Sequence, residues 1–244
     1  MKDILSDIVA HTNKLGFLNI VKVTGTEEKT LVDSMADDRT VIMYAETTNP
    51  YPSMIGVFGM PQLEKLRYLV EGKEYKEDAT IEVVTADRNG ETIPVGLHFE
   101  NVSGDFKNDY RFMNTEIINE KLKTVKFRGV KWDVEVTPTM ASVQRFQFQA
   151  GANTEHTTFL AKTDGDKLKF TFGDQSSHGG EFVFATGVTG KITKGWTWPV
   201  NPVLSILKIA DTNNATVSFS NEGAMQITLD SGLAIYKYII PAQA

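Results

Sequence analysis

Apolar and polar residues alternate with a period of two along most of the chain, broken by Gly, Asn and Asp, a pattern that predicts a β-rich fold. The alternation marks strands over 17–23, 40–47, 79–86, 92–99, 157–162, 167–172, 181–186, 215–220, 224–229 and 233–240. Between 79–86 and 92–99 lies Asp87-Arg88-Asn89-Gly90, whose Asn-Gly step tolerates positive φ and predicts a hairpin. Asp164-Gly165-Asp166 plays the same part between 157–162 and 167–172. Most strands carry polar side chains at alternate positions, so one sheet face is expected to meet solvent.

Four segments show helical spacing instead. Residues 3–15 gather Ile4, Leu5, Ile8 and Leu15 on one side, and 61–70 gather Leu63, Leu66 and Val70 opposite Glu64, Lys65 and Tyr68. Thr137-Pro138 reads as an N-cap followed by proline at the first helical position, with Met140, Val143, Phe146 and Ala150 as the apolar face beyond it and Arg145 on the polar face. Asn201-Pro202 repeats that start signal before Val203, Ile206, Leu207 and Ala210. Each half of the chain thus holds two short amphipathic helices among strands, an α+β pattern with the element order of an internal duplication. The halves, 1–113 and 130–244, are joined by 114–129, a locally basic stretch without a clear hairpin.

Composition narrows the class. With 244 residues and 41% hydrophobic content the chain can bury a core without covalent staples. It has no cysteine, which excludes disulfides, thiol catalysis and thiolate metal sites. No apolar run approaches the ~18 residues of a membrane span, and the acidic Met1–Asp7 start is unlike a signal peptide, so a cytoplasmic setting is expected. The net charge of −6 is unevenly spread: the helical windows 2–15, 60–73, 138–154 and 199–213 sum to +2 and the remainder to −8. A mildly basic set of helices on an acidic protein suits weak, sequence-blind contact with phosphates rather than tight binding.

Three stretches carry a resemblance to DNA sliding clamps of the PCNA and T4-like phage type. Asp33-Ser34-Met35-Ala36-Asp37-Asp38 before the strand at Thr40 is similar to that family's Ser-Met-Asp loop. Val57-Phe58-Gly59-Met60-Pro61-Gln62-Leu63 resembles its strand-to-second-helix step. Pro202 to Ala210, the Thr216–Ser220 strand and the terminal Tyr236-Lys237-Tyr238-Ile239-Ile240-Pro241 resemble its C-terminal end. The absence of a strand before the first helix favours the phage branch. The resemblance implies two similar domains, each with two helices packed on antiparallel sheets, assembling as a homotrimeric, pseudo-sixfold ring around duplex DNA. It implies a polymerase processivity factor without catalytic chemistry or cofactor, with DNA polymerase, an ATP-dependent clamp loader and the transcription machinery as partners. Lys14, Lys65, Arg67, Lys73, Arg145 and Lys208 become the DNA-facing candidates. Met35, Ile42, Leu122, Tyr238, Ile239, Ile240 and Pro241 become the candidate pocket for a partner peptide. Subunits are expected to join by edge-strand pairing between the strand near 107–113 and one such as 181–186.

Other motifs point elsewhere only weakly. Asp230-Ser231-Gly232 matches an aspartic-protease tripeptide but falls in a turn, and Asp174, Ser176 and His178 are sequence neighbours in a Gly-rich loop rather than a triad. Trp196 and Trp198 share a strand face, which keeps open a carbohydrate- or small-ligand-binding β protein. A β-rich virion or tail component is the other alternative.

Overall fold

The computed structural model describes residues 1–76, 78–88, 90–123, 127–174, 176 and 178–243, with the side chain of Arg88 excepted. By internal contacts the chain forms two units. Met1–Arg39, Met43–Lys126 and Gly232–Tyr236 make the first, and Thr40–Ile42, Phe127–Ser231 and Lys237–Ala244 the second.

The first unit opens with α1 (Lys2–Ala10), which buries Ile4, Leu5, Ile8 and Val9 against α2 (Leu63–Glu71) and its Leu63, Leu66, Leu69 and Val70. The helical reading of 3–15 therefore splits: α1 ends at Ala10, and Asn13–Leu15 form a separate 3-10 turn. There Thr12 Oγ1 donates to the carbonyl of Ile8, and Gly16 takes the left-handed conformation at φ +87°. Strands β1 (Val21–Gly25), β2 (Thr30–Met35), β3 (Ile42–Thr47) and β4 (Gly56–Met60) run in the order β4-β1-β2-β3. A separate three-stranded sheet holds β5 (Thr80–Arg88), β6 (Glu91–Glu100) and β7 (Lys107–Arg111) in sequence order. The β5–β6 ladder closes at Arg88↔Glu91; Asn89 of the expected turn lies outside the described residues. Helix α3 (Thr115–Lys121), absent from the sequence reading, follows Asn114, whose side chain accepts the N–H of Ile117 as an N-cap.

The second unit holds β8 (Val134–Val136), β13 (Ala215–Ser220), β14 (Ala224–Asp230) and the end of β15 (Ala234–Pro241) in the order β15-β14-β13-β8. Its second sheet orders β9 (Thr158–Asp164), β10 (Lys167–Phe172), β11 (Gly180–Ala185) and β12 (Thr197–Pro199) as β11-β10-β9-β12. Helices α4 (Met140–Ala152) and α5 (Val200–Ile209) pack against each other. The core is aromatic: Phe146 of α4 meets Phe159 at 4.9 Å edge-on, Phe170 stacks on Phe184 at 4.3 Å, and Trp198 lies edge-on to Phe219 at 5.2 Å.

Both expected helix starts move. Thr139, not Thr137, is the N-cap of α4; it forms a capping box with Ser142, and Pro138 is buried ahead of the helix. Helix α5 begins at Val200, before Asn201. Pro202 fits within its first turn, where a missing N–H breaks no intrahelical bond, and the Val200 N–H is satisfied by the Thr157 carbonyl at 2.9 Å. Met140, placed by spacing on the apolar face of α4, is 59% exposed.

Candidate nucleic-acid interface

The six cations proposed to face DNA sit on or beside the two helix pairs. In the first unit Lys65 is exposed on α2, and Lys73 is exposed on the 3-10 turn that follows. Arg67 is half-buried and lies 3.9 Å from Glu64 of the preceding turn, its stem along the α2 surface. Lys14 is exposed but paired with Glu71 at 2.6 Å, so its charge is partly spent within the protein. Lys2 adds no free cation: its ammonium donates to the carbonyls of Tyr75 and Lys76.

In the second unit Arg145 is exposed on α4 and Lys208 on the last turn of α5, where a cation also suits the helix dipole. Helix α4 has no acidic residue; Gln144, Arg145 and Gln147 are exposed along it. That surface offers amide and guanidinium donors to a phosphate backbone without base-specific geometry.

The partner-pocket candidates fall into three sets. Leu122, Tyr238, Ile239 and Ile240 are buried, Met35 and Ile42 half-buried, and Pro241 exposed. Two large exposed side chains were not singled out by sequence as surface features: Phe148 of α4, 73% exposed, and Met140. Phe148 follows Phe146 by two positions, so it cannot share the buried stripe that contains Phe146. That offset was the available signal.

The tryptophans do not form a ligand platform. Trp198 is fully buried in the aromatic core. Trp196 is half-buried, its Nε1–H donates to the Asn221 carbonyl at 2.8 Å, and a Cβ on Gly223 would touch its ring at 3.3 Å. The sugar-binding alternative thus loses the paired rings it required. Asp230-Ser231-Gly232 is the β14–β15 turn, with Gly232 at φ +82°. In the Gly-rich loop Asp174 accepts from Ser176 Oγ at 2.6 Å, while Gln175 and Ser177 lie outside the described residues. The most enclosed acid–histidine grouping is Asp7, His11 and Tyr236: Tyr236 Oη donates to Asp7 at 2.7 Å and its ring stacks on His11 at 4.1 Å. Tyr236 is fully buried, and the group ties α1 to β15. Among the described residues no three His, Asp or Glu side chains gather as a metal site, and no helix is long and apolar enough to cross a membrane.

No family model matches the sequence, and no curated protein matches it either. Solved structures do match, over essentially the whole chain. PCNA from Thermococcus kodakaraensis superposes with a TM-score of 0.71 at 11% identity, covering 100% of this chain and 97% of that one. A. fulgidus PCNA, solved with the C-terminal region of FEN-1 bound, gives 0.70 at 10% identity, covering 100% and 95%. The PCNA2–PCNA3 complex from Sulfolobus tokodaii gives 0.67 at 11% identity, covering 99% and 96%. The chain therefore has the α+β fold of the PCNA clamps, with helix pairs packed on antiparallel sheets in each of its two units.

Proposed function

We propose that this chain is the subunit of a sliding clamp that encircles duplex DNA and tethers a replicative DNA polymerase as its processivity factor. The observation that carries the reading is the match of the whole chain, rather than of one unit, to PCNA. Three copies would close into a ring, with Lys14, Lys65, Arg67, Lys73, Arg145 and Lys208 turned to the DNA. The thin basic content suits that task. A clamp must slide, so contacts to phosphate should be few and weak, and enclosure supplies the retention that affinity would otherwise provide. The chain would perform no chemistry; an ATP-dependent loader would open the ring.

Two further features support the assembly. Strand β7 ends the three-stranded sheet and β11 ends a four-stranded sheet, and each has a strand partner on one side only among the described residues. Pairing β7 of one copy with β11 of the next would satisfy both edges. The pocket candidates not buried in the single chain, and so open to a partner peptide, are Met35 on the first unit and Ile42 and Pro241 on the second. The bound FEN-1 segment on A. fulgidus PCNA supports a peptide as that occupant. Placement in T4-like phage replication, in the host cytoplasm, rests on the sequence resemblance alone.

The test is topological. Loaded on nicked circular DNA, the protein should stay bound, and a single restriction cut should release it. Equal loss from circular and linear DNA, or a stable single chain by light scattering, sinks the reading.

A further inference from the structure

We propose that Lys131, Lys191 and Lys194, gathered around the half-buried Trp196 in the second unit, form a docking patch for an acidic peptide segment of a partner protein. The inference goes beyond the clamp reading and does not need a closed ring.

The patch is built on the loop 186–196, which joins β11 to β12 without regular structure of its own. Hydrogen bonds hold this loop from two sides. On one side the Val188 N–H donates to the Asp166 carbonyl at 2.9 Å, and the Ile192 N–H donates to Thr163 Oγ1 at 3.1 Å. On the other side stands Asn221, in the β13–β14 turn. Its Oδ1 accepts the Thr193 N–H at 3.0 Å, its Nδ2 donates to the Lys191 carbonyl at 2.7 Å, and its carbonyl accepts the Trp196 indole N–H at 2.8 Å. The Asn221 N–H donates to Asp133 Oδ2 at 2.7 Å, which brings in the segment that carries Lys131. Gly190, at φ +88°, lies so close to that segment that a Cβ would fall 1.8 Å from the Asp133 carbonyl oxygen. A loop pinned in this way loses little entropy when something binds to it.

What the loop displays is positive charge. Lys131, Lys191 and Lys194 are exposed, and none forms an ion pair among the described residues. The nearby carboxylates are committed to backbone N–H groups instead: Asp133 to Asn221, Asp166 to Gly187 at 3.3 Å, and Glu222 to Lys131 at 3.4 Å. The Lys194 ammonium stands 5.8 Å from the centre of the Trp196 ring, within cation–π range. On a chain of net charge −6, three unpaired ammoniums on a fixed loop select an anionic partner.

Two observations favour a peptide over DNA as that partner. Exposed Glu222 in the turn and exposed Glu135 on β8 flank the lysines. A continuous phosphate backbone would run onto these carboxylates, whereas a short acidic segment can end before them. The chain's own C-terminal end also passes alongside. The Ala242 N–H donates to the Gly223 carbonyl at 2.9 Å and the Gln243 N–H to the Thr197 carbonyl at 2.8 Å. That sets exposed Pro241, a candidate peptide contact, beside the patch, so a segment held at Pro241 can continue onto the lysines.

The experiment uses the full chain labelled with 5-fluorotryptophan, with Trp196→Phe assigning the Trp196 resonance. End-blocked hexaglutamate and single-stranded heptathymidylate, matched in charge, are titrated at low salt. The peptide should shift the Trp196 resonance and bind more tightly than the strand. With Lys131→Gln, Lys191→Gln and Lys194→Gln combined, its affinity should fall roughly tenfold, as for three exposed ion pairs. Circular dichroism checks the fold; should the triple variant misfold, the single Lys→Gln variants carry the same comparison with smaller losses. A Trp196 resonance unmoved by the peptide, an affinity unchanged in the variants, or tighter binding of the strand at the same resonance overturns the proposal. Retention on circular DNA is read separately, so the clamp reading stands or falls on its own test.

Discussion

His98 sits opposite Asp109 in the β6–β7 register, with its Nδ1 2.8 Å from Asp109 Oδ1 and its Nε2 3.5 Å from Glu100. Glu100 is also paired with Lys107 at 3.0 Å. The hydrogen bond to Asp109, with that to Glu100 and both negative charges adding, holds the His98 pKa above its ordinary 6.5. Asp109 is in turn held below its ordinary 3.8, chiefly by the hydrogen bond from His98. The sign follows from linkage: a raised histidine stabilises the folded state fully below 6.5, and that contribution fades as pH rises through the folded-state value. The acid limb belongs to Asp109, whose contribution is lost as pH falls through its depressed value. Protection of the β7 amides against hydrogen exchange is therefore expected to drop on the alkaline side of the His98 titration. In Asp109→Asn the His98 ring resonances should titrate at lower pH and the β7 dependence should flatten. Unchanged titration would remove Asp109 as the cause. At the same scale, Trp198 shows how a residue type can mislead. Its ring is fully buried and fills the core among Phe159 and Phe219, so it serves packing rather than a surface ligand platform.

Helix α4 argues the element scale. Its Thr139 Oγ1 accepts the Ser142 N–H at 3.1 Å while Ser142 Oγ accepts the Thr139 N–H at 2.9 Å. Thr139→Ala should cost about 1 kcal/mol, seen as a fall in melting temperature of about 2–4 °C. Thr137→Ala, at the exposed position that the sequence marks as the cap, should stay within ~0.5 kcal/mol of wild type. Equal effects would mean that the box does not hold the helix. The difference between these neighbours marks what patterning can and cannot reveal. Strands with apolar inward positions, such as β10 with Leu168, Phe170 and Phe172, are legible because burial and alternation coincide. Strand β2 is not, because two of its inward residues are hydroxyls: Ser34 donates to the Ile20 carbonyl at 2.6 Å, and Thr30 accepts the Tyr51 N–H at 3.0 Å. Helix α3 escapes for a related reason. Ile118 is its one buried residue, so seven residues offer no stripe, and only the Asn114 cap announced it. The cations of the candidate interface could be counted from sequence, but the Lys14–Glu71 pair depends on which elements fold side by side.

Across the whole molecule the balance is between grip and enclosure, and salt separates them. A protein held on DNA by its cations loses affinity with a log–log slope of about −0.9 per phosphate contact. A closed ring on a closed circle has no such slope, because leaving requires a joint to open rather than ion pairs to break. Loading by contrast passes through the open ring and should feel charge. Lys65→Glu with Arg145→Glu should therefore slow loading onto primed circles at low salt, while the protein already loaded stays on as firmly as wild type through a salt wash. The two residues are exposed and free of ion pairs among the described residues, so folding should be untouched. The readout is the fraction retained on nicked circles before and after the wash, compared with the same DNA linearised. If the charge-reversed protein washes off circles with the steep salt dependence of a simple electrostatic binder, retention comes from contact and not from closure. If it loads at the wild-type rate, these helix faces do not meet the DNA during entry.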